Sequence, residues 1–248
     1  MIREDVLDED LFECRRQNDP AAAREIVRLG NSIRENADLH RGTFLLQLCL
    51  EIIFYLSMKE ESRDATVEAG GCELCSAIML DHPERLNIGK AGVAAVANLA
   101  YCSVRAKTKL GDAGACEAVV AALLRFPQER HVQMHGCMAI RNLALDHVTN
   151  TKRLREARAR EAISAAMWGH QSSASSSSSS SAGASRSGAT TGPKSVQHWA
   201  KLALKAVPQS SASLMSLVVR DAMAKFQELK EQALAEERAG DTEGRCLI

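Results

Sequence analysis

Ala69, Ala113 and Ala157 stand 44 residues apart, and each opens a similar stretch: AGGCELCSAIMLDHPE, AGACEAVVAALLRFPQ and ARAREAISAAMWGHQS. Glu73, Glu117 and Glu161 recur in register, as do Ala77, Ala121 and Ala165, while Met79, Leu123 and Met167 share an apolar position. A second segment keeps the same step. GKAGVAAVANLAY from Gly89 is answered by QMHGCMAIRNLAL from Gln133, so Gly92, Ala95, Asn98, Leu99 and Ala100 recur as Gly136, Ala139, Asn142, Leu143 and Ala144. FLLQLCLEIIFYLS joins the series 43 residues upstream, with Leu56 opposite Leu99. A fixed period of this kind marks one supersecondary unit used several times over.

Within each unit the period is helical. Val132, Gly136, Ala139, Ile140 and Leu143 fall on one helix face, and no stretch alternates cleanly with period two, so no strand is expected. Pro83 and Pro127, in DHPE and FPQE, cannot continue a helix and mark a turn. Each unit therefore reads as a short basic segment, a helix of about a dozen residues, a turn and a longer helix. Apolar residues make up 46% of the chain but aromatics only 4%, so Ala, Leu, Val and Ile must build the core. One unit cannot bury its apolar face alone. Stacked units can, and the expected fold is all-α, an α-solenoid with helical caps at both ends.

The organisation follows the period. Residues 1–18 form an acidic N-terminal segment, and repeats are expected over 19–171. Asp19 and Pro20 have the chemistry of an N-cap followed by proline at the first helical position. The Ser-rich tract, 172–193, reads as a disordered loop. It falls where the turn of the last unit belongs. SVQHWAKLALKAV then supplies the missing long helix, with Val207 in the place of Leu143, 64 residues on instead of 44. The surplus matches the length of the tract, so the tract reads as a loop expanded inside the last repeat, which costs little in closure entropy. Residues 194–238 hold that last helix and a C-terminal amphipathic helix, LMSLVVRDAMAKFQELKEQALAEE, and 239–248 read as a flexible tail. The amphipathic helix suits a cap or a short coiled-coil seam through Val219, Ala222, Phe226, Leu229 and Ala233.

Several function classes are argued against. Lys plus Arg and Asp plus Glu balance at 31 each, which gives no general pull toward nucleic acid or an anionic membrane. The acidic start, MIREDVLDEDLFEC, lacks the apolar core of a secretory signal, and no apolar run is long enough to cross a membrane. Eight cysteines in that setting read as reduced thiols of a cytoplasmic or nuclear protein. Cys72 and Cys75 form a C-x-x-C, but Cys75 aligns with Val119 and Ile163, a core position. Cys72 aligns with Cys116 and Arg160, which reads as a position tolerant of any side chain. His131 and His135 have the spacing to share a metal, yet lie far from that pair and have no acidic third ligand in register. Phosphate-loop, dinucleotide and nucleophile-elbow motifs are absent. No catalysis, no cofactor and no metal are expected.

NTKRLREARAREAI and AIRNLA resemble armadillo repeats, over roughly residues 40 to 170. The resemblance implies three helices per unit, the third of them lining a concave groove. It implies that Asn98 and Asn142 bond the backbone of an extended partner peptide, since an amide both donates and accepts. Tyr101, His135, Met138, Arg141 and Trp199 are the expected neighbours in that groove. The peptide-binding importin type carries Trp four residues before each Asn; Ala94 and Met138 stand there in this chain. The plainer alternative has both asparagines bonding only neighbouring helices. Arg105, Lys107 and Lys109 are followed one unit on by Lys152, Arg153 and Arg155. That strip reads either as a solvated edge or as a site for an acidic partner segment, and the lack of interleaved aromatics argues against RNA. The expected function is a non-catalytic scaffold for a protein or peptide partner. The alternative is a structural subunit that assembles through its C-terminal helix.

Overall fold

The computed structural model describes Glu13 and residues 19–36, 42–170 and 195–209. Among them are eleven α-helices and no strand. They are α1 (Pro20–Arg34), α2 (Gly42–Leu56), α3 (Glu60–Glu68), α4 (Gly71–Asp81), α5 (Leu86–Leu99), α6 (Val104–Asp112), α7 (Ala115–Arg125), α8 (Arg130–Ala144), α9 (Val148–Glu156), α10 (Ala159–Gly169) and α11 (Val196–Ala206). All lie in one compact unit, Met1–Val207; Pro208–Ile248 form a second. The Ser-rich tract and the C-terminal amphipathic segment expected over 214–237 lie outside the described residues, as does the acidic start apart from Glu13.

Local chemistry sets the helix starts. Asp19 accepts a bond from the Ala22 amide at 2.8 Å, and Pro20 takes the first turn of α1. Ser103 caps α6 through the Ala106 amide at 3.2 Å, and Ser195 caps α11 through the His198 amide at 3.1 Å. The segments that the period gives as short basic connectors, and the resemblance as a short first helix of each unit, are nine-residue helices, α6 and α9. The turns recur where the residues do not. Gly70, Gly114 and Arg158, spaced by 44, are all left-handed, with φ of 97°, 85° and 65°. Cys102 and Asp146, also 44 apart, share a φ of 53°.

The helices pack in successions. The long helices α2, α5, α8 and α11 each lie against the next, and so do the middle helices α1, α4, α7 and α10. The short helices α6 and α9 pack on each other and against α7. A core of Leu, Ile, Val, Ala and Cys runs through the whole array. Recurring glycines permit the closest approach between middle and long helices: a Cβ on Gly92 would sit 2.5 Å from Met79 Cγ, and one on Gly136 would sit 2.7 Å from Leu123 Cδ2.

Cys75 is fully buried, but so are Cys72 and Cys116. Their position is therefore not tolerant, because the first turn of a middle helix faces the short helix of the following unit. Cys72 Sγ lies 3.9 Å from the Ala106 carbonyl in α6. In the last unit Arg160 holds the place, and its guanidinium donates to the carbonyls of Leu204 and Val207 at the end of α11.

Candidate functional site

The long-helix row carries an open cleft of about 410 Å³ between α2, α5 and α8, lined chiefly by Glu51, Phe54, Tyr55, Lys90, Ala94 and His131. Helical spacing places these side chains. Gln47, Glu51, Phe54 and Tyr55 fall on one face of α2; Lys90, Ala94 and Asn98 on one face of α5; His131, His135, Met138 and Asn142 on one face of α8. The opposite faces bury Leu45, Cys49, Ile52, Leu56, Val96, Leu99, Val132 and Leu143.

Charge in the cleft is largely accounted for. Glu51 accepts from the Gln47 amide at 2.8 Å, and Lys90 pairs with Glu129 at 2.9 Å. The rings of His131 and His135 lie 4.1 Å apart, and His135 Nδ1 donates to the His131 carbonyl at 3.1 Å. Burial, and then the Lys90 charge, hold the His131 imidazole below its usual pKa; burial, and then His131, do the same for His135. His135 also meets Phe54 edge-on, with ring centres 6.4 Å apart. The cleft thus offers two aromatic rings, neutral imidazoles and one carboxylate. Such a surface can hold a partner side chain by stacking and burial.

The expected groove residues are divided. His135 joins the cleft through Phe54. Tyr101 is exposed at the end of α5. Met138 and Arg141 are half-buried on α8, and Trp199 is half-buried on α11 against His198. These four share the long-helix row without lining the cleft. At the asparagines the structure shows the bonds of the plainer alternative. Asn98 donates Nδ2 to the Phe54 carbonyl at 3.1 Å, and Asn142 donates Nδ2 to the Ala97 carbonyl at 2.8 Å. One N–H of each side-chain amide therefore serves the preceding helix. The last four carbonyls of a helix have no intrahelical donor. Phe54 and Ala97 carry such carbonyls near the ends of α2 and α5, and the next unit supplies the missing amide. Arg141 donates to the Asn142 oxygen at 2.9 Å, which engages the acceptor side as well.

The basic strip requires a correction. Lys107 is buried and donates to the Leu145 carbonyl at 2.7 Å; burial holds its ammonium below the usual lysine pKa. Lys109 reaches the Val67 carbonyl at 2.9 Å, and Arg153 reaches Asp112 at 2.7 Å. Arg105 pairs with Glu68 at 2.9 Å, Lys152 is exposed and Arg155 is half-buried. What reads as a cationic edge is mostly stitching between successive short helices and the helix ends they meet.

Phe54 and Lys90 carried no distinguishing signal, Phe54 in the mostly apolar α2 and Lys90 as a single cation on α5; Gln47 and Glu51, four residues apart, were the available mark of the outward face of α2. Cys72, Cys75 and Cys116 are held as thiols by burial, Cys72 and Cys116 with their pKa pushed up to about 12 and Cys75 well above its ordinary value. Among the described residues no group of three or more His, Cys, Asp or Glu is placed to hold a metal, and no helix is long and apolar enough to cross a membrane. Compared with known proteins, the chain matches no family model and no curated sequence.

Proposed function

We propose that this chain is a non-catalytic interaction scaffold, an armadillo-type right-handed α-solenoid that binds a segment of a partner protein along its long-helix row. The architecture draws support from the successive packing of long and middle helices and from left-handed turns that recur every 44 residues. On this reading the Ser-rich tract is an insertion within the last unit, because α11 packs against α8 and α10 as the long helix of that unit.

The observation that carries the binding reading is where the aromatics lie. The chain has five phenylalanines, two tyrosines and two tryptophans. Of these nine, Phe44, Phe54, Tyr55 and Trp199 sit on the long-helix row and Tyr101 directly follows α5. Phe44, Tyr55 and Tyr101 are 47%, 39% and 54% exposed. Exposed aromatic side chains are the usual energetic anchors of a protein interface. The partner is held by side-chain burial between rings, while one N–H of each of Asn98 and Asn142 bonds the preceding helix.

A partner recovered by proximity labelling tests this. Its affinity for the purified chain should fall roughly tenfold or more for each of Tyr55→Ala and Tyr101→Ala, with the helical circular dichroism unchanged. A partner whose affinity ignores both changes refutes the long-helix site.

A further inference from the structure

The middle helices α4, α7 and α10 carry a pattern that the long-helix site does not use. Each presents a glutamate, an alanine and a large apolar residue at i, i+4 and i+7: Glu73, Ala77 and Leu80; Glu117, Ala121 and Leu124; Glu161, Ala165 and Trp168. That spacing keeps the three on one face. The glutamates are exposed, and Leu80, Leu124 and Trp168 are 47%, 53% and 64% exposed. Because the three helices pack in succession, the triads lie side by side. The result is a row of carboxylates, a valley of alanines and a row of apolar side chains.

We propose that this face docks an amphipathic helix of a partner protein, apolar along one flank and basic along the other. Three features argue for that occupant. Charge complementarity places Lys or Arg opposite Glu73, Glu117 and Glu161. Glu73 already meets Lys109 at 3.5 Å and Glu161 meets Arg158, but both are surface pairs that a partner cation can replace at little cost. An apolar socket of about 230 Å³ opens between α4 and α7, floored by Ala118, Ala121 and Ala122 and walled by Met79, Leu80 and Pro83, and it suits an aliphatic side chain.

Width decides helix over strand. Seven residues along an α-helix rise roughly 10.5 Å, so the acidic and apolar rows stand about one helix diameter apart. An extended strand is only about half that wide. The valley floor, being alanine, lets a helix backbone come close. A helix lying across the row meets a new middle helix about every 10 Å, which is about seven of its own residues. The partner therefore carries an apolar anchor at each seventh position.

The probe is a fluorescein-labelled synthetic helical peptide with leucine at every seventh position and arginine along one flank, titrated against the full chain by anisotropy. Saturable binding is expected, weaker by at least about tenfold after Leu124→Ser with Trp168→Ser, and unaffected by Tyr55→Ala. Changing Glu73, Glu117 and Glu161 to Lys should move the preference to a peptide flanked by glutamate, with circular dichroism confirming that each variant is folded. Equal binding of arginine- and glutamate-flanked peptides by the parent chain, or binding of neither, overturns the proposal. So does a Leu124→Ser and Trp168→Ser variant that turns an oligomer into a monomer in sedimentation while peptide binding stays the same; the face would then belong to a second copy of this chain.

Discussion

Lys109 and Arg153 hold the same place in successive units, and so do Leu80, Leu124 and Trp168, yet the two series end in opposite surroundings. The cations reach back to the end of the preceding short helix, to the Val67 carbonyl and to Asp112. The apolar series reaches into solvent. Recurrence in a stacked array can mean either of two things: what each unit requires from its neighbour, or what the array presents to something else. Burial and direction of reach tell them apart. By that measure Asn98, Asn142, Cys72 and Cys116 belong with the inward series, although asparagine and lysine are ordinarily surface residues.

The largest test of the inward series is alkaline. Burial holds the thiols of Cys72, Cys116 and Cys137 up to about 12, against roughly 8.5 in an unfolded chain. The folded pKa is raised, so this stability is complete below the unfolded value. Above it the unfolded chain has released protons that the native state keeps, and stability falls by about 1.4 kcal/mol per pH unit for each thiol. Urea denaturation between pH 9 and 10 should show a loss of roughly 4 kcal/mol for the three together. Replacing all three by alanine should cut that slope back to the part that Cys75 supplies, since burial also raises its thiol well above the ordinary value; a slope unchanged by the replacement would place the three thiols outside the core.

A smaller effect is expected where two inward residues meet. A Cβ on Gly111 would lie 1.9 Å from Asn150 Oδ1 and 2.6 Å from an Arg153 nitrogen. Asn150 is fully buried and donates to the Lys107 carbonyl at 2.8 Å and to the Leu143 carbonyl at 3.3 Å. Gly111→Ala should displace that amide and cost about 2–3 kcal/mol in chemical denaturation. An unchanged midpoint would mean that the junction of α6 and α9 is loose. The smallest effect belongs to the outward series: Leu80→Ser, Leu124→Ser and Trp168→Ser should each stay within about 0.5 kcal/mol of the parent. A loss several times larger at any of them would reassign that residue to the core.

Helix positions were readable where a single residue carries the signal. Asp19 and Pro20 announce α1, and Pro83 and Pro127 mark the breaks before α5 and α8, because each acts through its own backbone. The long helices were readable from Gly92 and Gly136 and the apolar face around them. The short helices α6 and α9 were implied by the resemblance and not by the period, since nine polar-rich residues gain most of their helical stability from what they pack against. The site was legible in location more than in chemistry. The 44-residue step finds Asn98 and Asn142 and leaves bonding to a neighbouring helix as one of two readings, but not which carbonyl each amide takes, because that carbonyl comes within reach only once the units are stacked. Lys107 and Lys109 were obscured for the same reason. Phe54 and Tyr55 were hard to single out in GTFLLQLCLEIIFYL, where most side chains are apolar and only Gln47 and Glu51 mark the outward face.

Arg158, Cys102 and Asp146 carry side chains in a backbone state that glycine adopts freely at Gly70 and Gly114. The left-handed conformation costs an L-residue about 1–2 kcal/mol, and it persists only where the surroundings over-determine it. Nothing local in Arg158 or Cys102 asks for that shape, so the helices on either side must impose it. A single unit cut from this chain would lose those helices and, with them, the reason for its own turns. Autonomy is therefore uneven along the molecule: the bends at Gly70 and Gly114 are written into their residues, while the bend at Arg158 exists only through cooperation with the rest of the array.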